Sequence, residues 1–270
     1  DANNNGVLDN DEIDSSKTKF ICNGAAGQDG LDSSGGSLSN TSSEIPYYDT
    51  VSSQASFDLS DNGKNIVYAY GGPVNDNANA TSRGDEVKVV RISENGFAQL
   101  GQTIDLNFSW GPTVGGVGIN EDGSKIYISV LNDTKFYDLI ENQWTLITSI
   151  SGTDQYNVRI SDDWSTLMSV SSAGNVSIYK RNGNSWALNS SFDTLLGASP
   201  INKRAFDINF DGSIISVCDY NYTGEIDRQG ICKIFTNQNG IWDNLGQDLF
   251  GISTLDSFGY STSLSNDGLT

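Results

Sequence analysis

Ile119-Asn-Glu-Asp-Gly123-Ser-Lys-Ile126 decides the fold, because the pattern of an apolar residue, a polar turn and a second apolar residue returns along the chain. An Asp-Gly or Asn-Gly step between apolar runs predicts a tight turn between two antiparallel strands. Successive turn positions lie 60, 41, 48 and 56 residues apart, which is a spacing typical of propeller blades. The five equivalent turn positions are Gly63, Gly123, Trp164, Gly212 and Gly268.

Each repeat carries further strand signals beyond this hairpin. In the second repeat, the runs Ile126 to Val130 and Lys135 to Leu139 are followed by a polar turn and a strand that begins with Trp144. Four strands per repeat make a blade. The sequence therefore predicts an all-β fold, a β-propeller of four-stranded blades over residues 46–270, with little helix. Four blades and part of a fifth are visible, and we expect a ring of six to eight blades that continues beyond Thr270.

An aromatic residue opens the fourth strand of each repeat. Trp144, Trp186 and Trp242 occupy this place in three repeats. Because the position recurs, we expect these side chains to pack between blades rather than to form a platform for sugars.

Composition excludes several functions. The 270 residues carry a net charge of −19 and contain no histidine. An acidic chain repels nucleic acid, and catalytic triads and zinc sites lack their usual histidine. No apolar run approaches the length that spans a membrane as a helix.

The first twelve residues fit an EF-hand calcium loop. Oxygen ligands fall at the required positions, and Gly6 allows the sharp turn. We expect Ca²⁺ to be the one cofactor, bound by a module at residues 1–22 that a Gly/Ser-rich linker at 23–45 joins to the propeller. The predicted ligands are Asp1, Asn3, Asn5, Val7 through its carbonyl, Asp9 and Glu12.

A second candidate calcium loop lies between two cysteines. Cys218 and Cys232 flank a polar stretch between two strand signals, so neighbouring antiparallel strands would bring them close enough for a disulfide. Two buried free thiols are the alternative. The enclosed stretch has the spacing of a compact calcium loop, with candidate ligands Asp219, Asn221, Thr223, Glu225 and Asp227.

The chain resembles surface proteins of Bacteroidota. The repeated phrase is similar to the Ser-x-Asp-Gly turn of secreted bacterial propellers, and residues 245–268 resemble FG-GAP repeats. The calcium loop followed by Gly-x-y triplets is similar to a module of the same surface proteins. The resemblance implies an extracellular or cell-surface location, associated with the outer membrane of a Gram-negative bacterium.

Long loops at one end of the blades predict where function lies, because binding concentrates on loops held by a rigid scaffold. We expect a non-enzymatic adhesion propeller that recognises a glycan or a surface protein through this long-loop face. The first alternative is a structural subunit of a surface assembly. The second is a carbohydrate-active enzyme, for which no catalytic motif is evident.

Overall fold

A computed structural model describes residues 56–70, 86–93, 96–106, 114–154, 158–196 and 205–269, which belong to the compact unit Tyr47–Thr270. Within these ranges the chain forms strands and no helix, so none of the described segments is a helix that crosses a membrane. The predicted all-β class is confirmed.

The strands form four antiparallel sheets, which we call blades 1 to 4. Blade 1 contains β1 (Ser56–Leu59), β2 (Asn65–Tyr70), β3 (Glu86–Ser93), β4 (Gly96–Gln99) and β5 (Ile104–Asp105). Blade 2 contains β6 (Val114–Ile119), β7 (Lys125–Val130), β8 (Asp133–Ile140) and β9 (Gln143–Ser151). Blade 3 contains β10 (Val158–Ile160), β11 (Thr166–Val170), β12 (Asn175–Asn182) and β13 (Ser185–Asp193). Blade 4 contains β14 (Ala205–Ile208), β15 (Ile214–Asp219), β16 (Ile231–Gln238), β17 (Ile241–Asn244) and β18 (Leu249–Phe250).

The outermost strand of every blade is irregular at the same place. In blades 2 and 3 it is one strand whose pairing shifts at Phe136/Tyr137 and at Ile178/Tyr179. In blades 1 and 4 it is split into two short strands, both paired with the third strand. A shift in pairing of this kind bends the edge of a sheet and increases its local twist.

The core consists of apolar layers between successive blades. Second strands such as β7 and β11 are buried along their whole length except for Lys125, as expected for strands covered on both faces. Separate clusters of buried side chains join blade 1 to blade 2, blade 2 to blade 3, and blade 3 to blade 4. The first strands β1, β6, β10 and β14 lie beside one another at the inner side.

The tryptophans at the start of the fourth strands pack against the preceding blade, as predicted. The indole Nε1 of Trp144 donates a hydrogen bond to the carbonyl of Leu100 in blade 1 at 2.8 Å. The ring of Trp186 stacks on Phe136 of blade 2 with a centroid distance of 4.9 Å. Trp242 stacks on Phe192 of blade 3 at 5.7 Å.

The fifth repeat begins but forms no strand within the described residues. Its turn closes through a hydrogen bond from Gly268 N to Ser265 O at 2.8 Å. Leu264 N donates to Asp207 Oδ2 of blade 4 at 2.7 Å, so the segment occupies the place of a first strand.

Candidate functional site

The turns between first and second strands are closed by similar hydrogen bonds. One acidic residue in the turn takes no part in these bonds. In blade 2, Gly123 N donates to Asn120 O at 3.0 Å, and Asp122 Oδ1 accepts from Ser124 N at 2.9 Å. Glu121 takes part in neither bond, and it is exposed. The turn therefore holds Glu121 on a rigid frame at the end of the blade.

The equivalent position is acidic in three successive blades. It is Asp61 in blade 1, Glu121 in blade 2 and Asp162 in blade 3, whereas blade 4 carries Phe210. These turns surround a cavity of about 340 Å³. Its lining residues come from all four blades: Asp61, Asn120, Glu121, Asp122, Lys125, Asp162, Asp163, Trp164, Arg181 and Phe210.

Two further carboxylates lie on the inner strands. Asp58 Oδ2 accepts a hydrogen bond from Ile119 N of blade 2 at 3.0 Å, and Asp207 Oδ2 accepts the bond from Leu264 N described above. Both residues occupy the position just before the last residue of a first strand. Each carboxylate therefore links the inner strand of its own blade to the corresponding segment of the next repeat.

Blade 3 carries Arg159 at that same position. Its guanidinium carbon lies 5.5 Å from the centre of the Phe206 ring, and it interacts with the hydroxyl of Tyr127. Burial disfavours the charged guanidinium, but Tyr127, Asp207 and Asp58 outweigh this effect and raise the pKa of Arg159. Although many protein atoms surround it, the side chain remains accessible to solvent.

The glycine of blade 2 at this position makes room for Tyr127. A Cβ atom on Gly118 would lie 2.1 Å from Cε1 of the Tyr127 ring, so any larger residue would displace that ring. The buried Tyr127 hydroxyl also lies 3.4 Å from the carbonyl of Val158, next to Arg159. Gly118 and Tyr127 together set the position of the arginine.

Asp162 has the most distinctive electrostatics of the cavity. Partial desolvation and then the negative charges of Asp61, Asp207, Asp58 and Asp163 raise its pKa to about 6. A carboxyl group in a cleft that exchanges its proton near neutral pH is suited to general acid and base catalysis.

Two cations line the same cavity, and they have different partners. Lys125 Nζ lies 2.6 Å from Asp138 Oδ2, so its charge is neutralised within blade 2. Arg181 donates one hydrogen bond from Nε to the carbonyl of Gly183 at 2.9 Å. Because a guanidinium group has five N–H donors, Arg181 retains donors for a ligand.

The cavity lies at the end of the blades opposite to the predicted one. It is formed by the short turns, whereas the sequence favoured the long-loop face. The long loops at 71–85 and 197–204, and much of the loop at 103–116, lie outside the described residues. The cavity could not be recognised in the sequence, because each of its acidic residues resembles an ordinary turn residue. The aromatic residues Trp164 and Phe210, which depart from the repeated turn pattern and line the cavity, were the one sequence feature that pointed to it.

The predicted calcium loops remain predictions. Asp1, Asn3, Asn5, Val7, Asp9 and Glu12 lie outside the described residues. In the second loop, Asp219 Oδ1 accepts from Asn221 N at 3.0 Å, and Thr223 Oγ1 donates to Asp227 Oδ1 at 3.4 Å; Glu225 is exposed. Among the described residues, no three acidic, histidine or cysteine side chains are placed to share a metal ion.

The predicted disulfide is present. Cys218 and Cys232 are directly opposite each other on β15 and β16, and their sulfur atoms are bonded. A Cβ on Gly259 would lie 2.7 Å from the Cys232 sulfur, so residues near 259 pack closely over the bridge. The disulfide therefore closes the loop of residues 219–231 beneath a second segment of the chain.

Comparison with known proteins establishes the fold but no sequence family. No family model and no curated protein matches the chain. Two similar solved structures are provisionally named 6-phosphogluconolactonases, from Bacteroides uniformis ATCC 8492 and from Bacteroides fragilis NCTC 9343. Their identities are 12% and 14%, both TM-scores are 0.51, and the matches cover 74% and 75% of this chain. The chain spans 56% of the length of each.

These neighbours support a propeller-like fold of the kind found in Bacteroides, but no FG-GAP relationship. They also contradict the functional prediction. The chain was expected to be a non-enzymatic adhesion propeller or a structural subunit, whereas both neighbours are named as enzymes. At these identities the likeness shows the fold alone, so the reaction has to be argued from the cavity.

Proposed function

We propose that this chain is part of an enzyme that hydrolyses a sugar lactone, with the cavity at the short turns as its active site. One observation carries the proposal: the cavity is lined by acidic residues from three successive blades and by Arg181. The names of the two structural neighbours support the same class of reaction. The chain spans 56% of the length of each neighbour, so the activity of the whole protein is likewise a proposal.

Asp162 acts as the general base in the proposed mechanism. Its carboxylate removes a proton from a water molecule, whose oxygen then attacks the lactone carbonyl carbon. The carbonyl oxygen takes up negative charge in the tetrahedral intermediate, and Arg181 donates hydrogen bonds to it. When the bond to the ring oxygen breaks, Asp162 returns its proton to that oxygen. The products are a hydroxyl group and a carboxylic acid, which ionises in solution.

The pKa of Asp162 fits this role. At a value of about 6, the group is mostly deprotonated at pH 7 and is still a stronger base than an ordinary aspartate. Matching the pKa of the base to the working pH gives the most effective proton transfer. Asp61 and Asp163 contribute by holding negative charge close to Asp162.

The test is lactone hydrolysis by the purified chain, corrected for the spontaneous reaction. We expect Asp162→Asn to lower kcat by about 100-fold, since general base catalysis typically contributes 10²- to 10⁴-fold. Arg181→Gln should lower kcat by a similar factor through loss of the oxyanion contact. Glu141→Gln removes an exposed carboxylate outside the cavity and serves as the control. Unchanged turnover in Asp162→Asn would rule out the assigned base.

The cellular location is a separate proposal. The Cys218–Cys232 disulfide supports an extracytoplasmic protein, because such bonds persist in oxidising compartments. As part of the same proposal, the protein is a surface protein that resembles FG-GAP proteins and binds Ca²⁺. Mass spectrometry of the protein from its native source tests it, and two free thiols would contradict it.

A further inference from the structure

The balance of charge around the cavity indicates which lactones can enter. Carboxylates outnumber cations among the lining residues, five to two: Asp61, Glu121, Asp122, Asp162 and Asp163 against Lys125 and Arg181. Lys125 is already paired with Asp138 at 2.6 Å. Arg181 is thus the one lining cation with donors free of a carboxylate among the described residues, and the proposed reaction uses it at the carbonyl oxygen.

An anionic group on the substrate would therefore meet carboxylates without a cation to balance it. Asp58 and Asp207 add negative charge on the inner strands, and Arg159, which interacts electrostatically with both, is not among the residues that line the cavity. A phosphate carries close to two negative charges at neutral pH. To bind in the cavity, a phosphate would have to lose hydrating water close to carboxylates that repel it.

The remaining lining groups suit an uncharged sugar ring. Phe210 is 46% exposed at the position where the other blades carry acidic residues. Its aromatic ring can therefore pack against the apolar face of a sugar ring. Asp61, Glu121 and Asp162, the acidic residues at the equivalent turn position, supply acceptors for hydroxyl groups. The volume of about 340 Å³ suits a small ligand such as one sugar residue.

We infer that the cavity selects sugar lactones that carry no negative charge and rejects their phosphorylated forms. This inference rests on the proposed lactonase function and deepens it. The same field favours release of the product, because hydrolysis converts a neutral lactone into an anionic acid that the carboxylates repel. The selected substrate class thus differs from the phosphorylated lactone in the names of the two structural neighbours.

The first experiment compares kcat/KM for glucono-1,5-lactone and for its 6-phosphate, using the full 270-residue chain. We expect the neutral lactone to be preferred by at least about 30-fold at low salt, with the ratio falling as ionic strength screens the carboxylates. An equal rate with the two lactones, or a preference for the phosphate, would overturn the inference. A cationic amino-sugar lactone should be accepted at least as well as the neutral one.

Variants identify the source of the selection. Asp61→Asn together with Glu121→Gln removes two lining charges and keeps side-chain size. We expect this pair to narrow the preference for the neutral lactone by about tenfold, whereas Glu141→Gln leaves the ratio unchanged. A ratio that stays the same in the double variant would show that these charges do not select the substrate, and would overturn the inference.

Binding of lactams separates this inference from the catalytic proposal. A gluconolactam has the shape of the lactone but resists hydrolysis, and calorimetry measures its affinity directly. If neither lactone is hydrolysed but the neutral lactam binds more tightly than its phosphate, the lactonase proposal fails and the selectivity stands. If the phosphorylated lactam binds equally well, or if neither lactam binds, the inference fails.

Discussion

At the scale of single residues, Trp164 is the clearest departure from the repeat. Its backbone has a φ of +58° at a turn position where the other four repeats have glycine. L-residues avoid this region, at a cost of about 1–2 kcal/mol. The side chain is nevertheless 7% exposed and packs 6.4 Å from the ring of Tyr127. Burial of the indole therefore compensates for the strained backbone.

This compensation predicts that replacing Trp164 by the consensus glycine is destabilising. Removal of a buried aromatic side chain costs about 3–5 kcal/mol, and relief of the backbone strain returns about 1–2 kcal/mol. We expect Trp164→Gly to lower the free energy of unfolding by about 2 kcal/mol in urea denaturation. Gly63→Ala is the matched control, because Gly63 has a φ of +68° and no atom within 4 Å of the added Cβ. Its effect should reflect strain alone, about 1 kcal/mol; a more stable Trp164→Gly would contradict the account.

Asp162 predicts a pH-dependent effect on stability. Its pKa is raised from 3.8 to about 6 by burial and neighbouring carboxylates, so the folded protein holds this proton more tightly than the unfolded chain. The resulting stabilisation is complete below pH 4 and is lost as the pH rises to about 6. Asp162→Asn should therefore be more stable than the parent protein at pH 7 but not at pH 4. Because Asp162 is exposed, solvent screening keeps the gain below about 1 kcal/mol.

Thermal unfolding at the two pH values measures this difference. Glu141→Gln, which removes a carboxylate from an exposed turn, provides the comparison for a general change in net charge. A difference between Asp162→Asn and the parent that is the same at pH 4 and pH 7 would show that Asp162 has no perturbed pKa.

The turns of blades 2, 3 and 4 and of the fifth repeat each use one carboxylate as an acceptor, whereas the turn of blade 1 uses the neutral amide oxygen of Asn62. Asp211 Oδ1 accepts hydrogen bonds from Ser213 N at 2.9 Å and Ser213 Oγ at 2.5 Å, and from Asn209 Nδ2 at 3.0 Å. The Ser213 hydroxyl is the main cause of the lowered pKa of Asp211. The same arrangement recurs at Asp122 and Asp267. The repeated sequence pattern thus places a charged acceptor in every described turn between first and second strands except that of blade 1.

Asp211→Ala should therefore destabilise the protein by about 1–2 kcal/mol at pH 7, since hydrogen bonds to a charged group are among the stronger ones. A lowered pKa contributes stability that is present above pH 4 and is lost as the pH falls below it. The difference between variant and parent should shrink accordingly in thermal unfolding at pH 2.5. Asp243→Ala, on the exposed outer strand β17, should have little effect at either pH. A penalty for Asp211→Ala that persists at pH 2.5 would contradict the role of the charge.

The hairpins could be predicted from the sequence because their signal is local. The strand expected at Ile126 to Val130 is β7, Lys125–Val130, and the one expected at Lys135 to Leu139 is β8, Asp133–Ile140. The cavity could not be predicted in this way. Its carboxylates Asp61, Glu121 and Asp162 are separated by some 40 to 60 residues, and only the packing of blades brings them together. The shifted pKa of Asp162 likewise arises from charges on other blades.

Across the described unit, the clusters of buried apolar side chains lie between successive blades. Ile150 and Leu249 occupy equivalent positions, opposite Thr134 on β8 and Cys232 on β16. Ile150 is 7% exposed because blade 3 covers it, whereas Leu249 is 48% exposed. Within the described residues, this sheet position is buried where a following blade packs against it, as in blade 2, and exposed in blade 4.

This contrast predicts unequal costs for the same truncation. Ile150→Ala should lower the free energy of unfolding by about 2–4 kcal/mol through loss of buried area and a residual cavity. Leu249→Ala should cost less than about 1 kcal/mol in the same chain. Urea denaturation of the two variants measures the difference. Equal costs would mean that blades are stabilised internally and not by their neighbours.

In the hydrolytic site proposed at the short turns, Asp162 is the base. The pH dependence of kcat/KM for glucono-1,5-lactone, corrected for spontaneous hydrolysis, reports the protonation state of that base. A base must be deprotonated to act, so the account predicts a rise with a midpoint near pH 6, the pKa of Asp162, and the absence of this rise in Asp162→Asn. A parent profile without a transition between pH 5 and 7, or a transition that persists in Asp162→Asn, would contradict it.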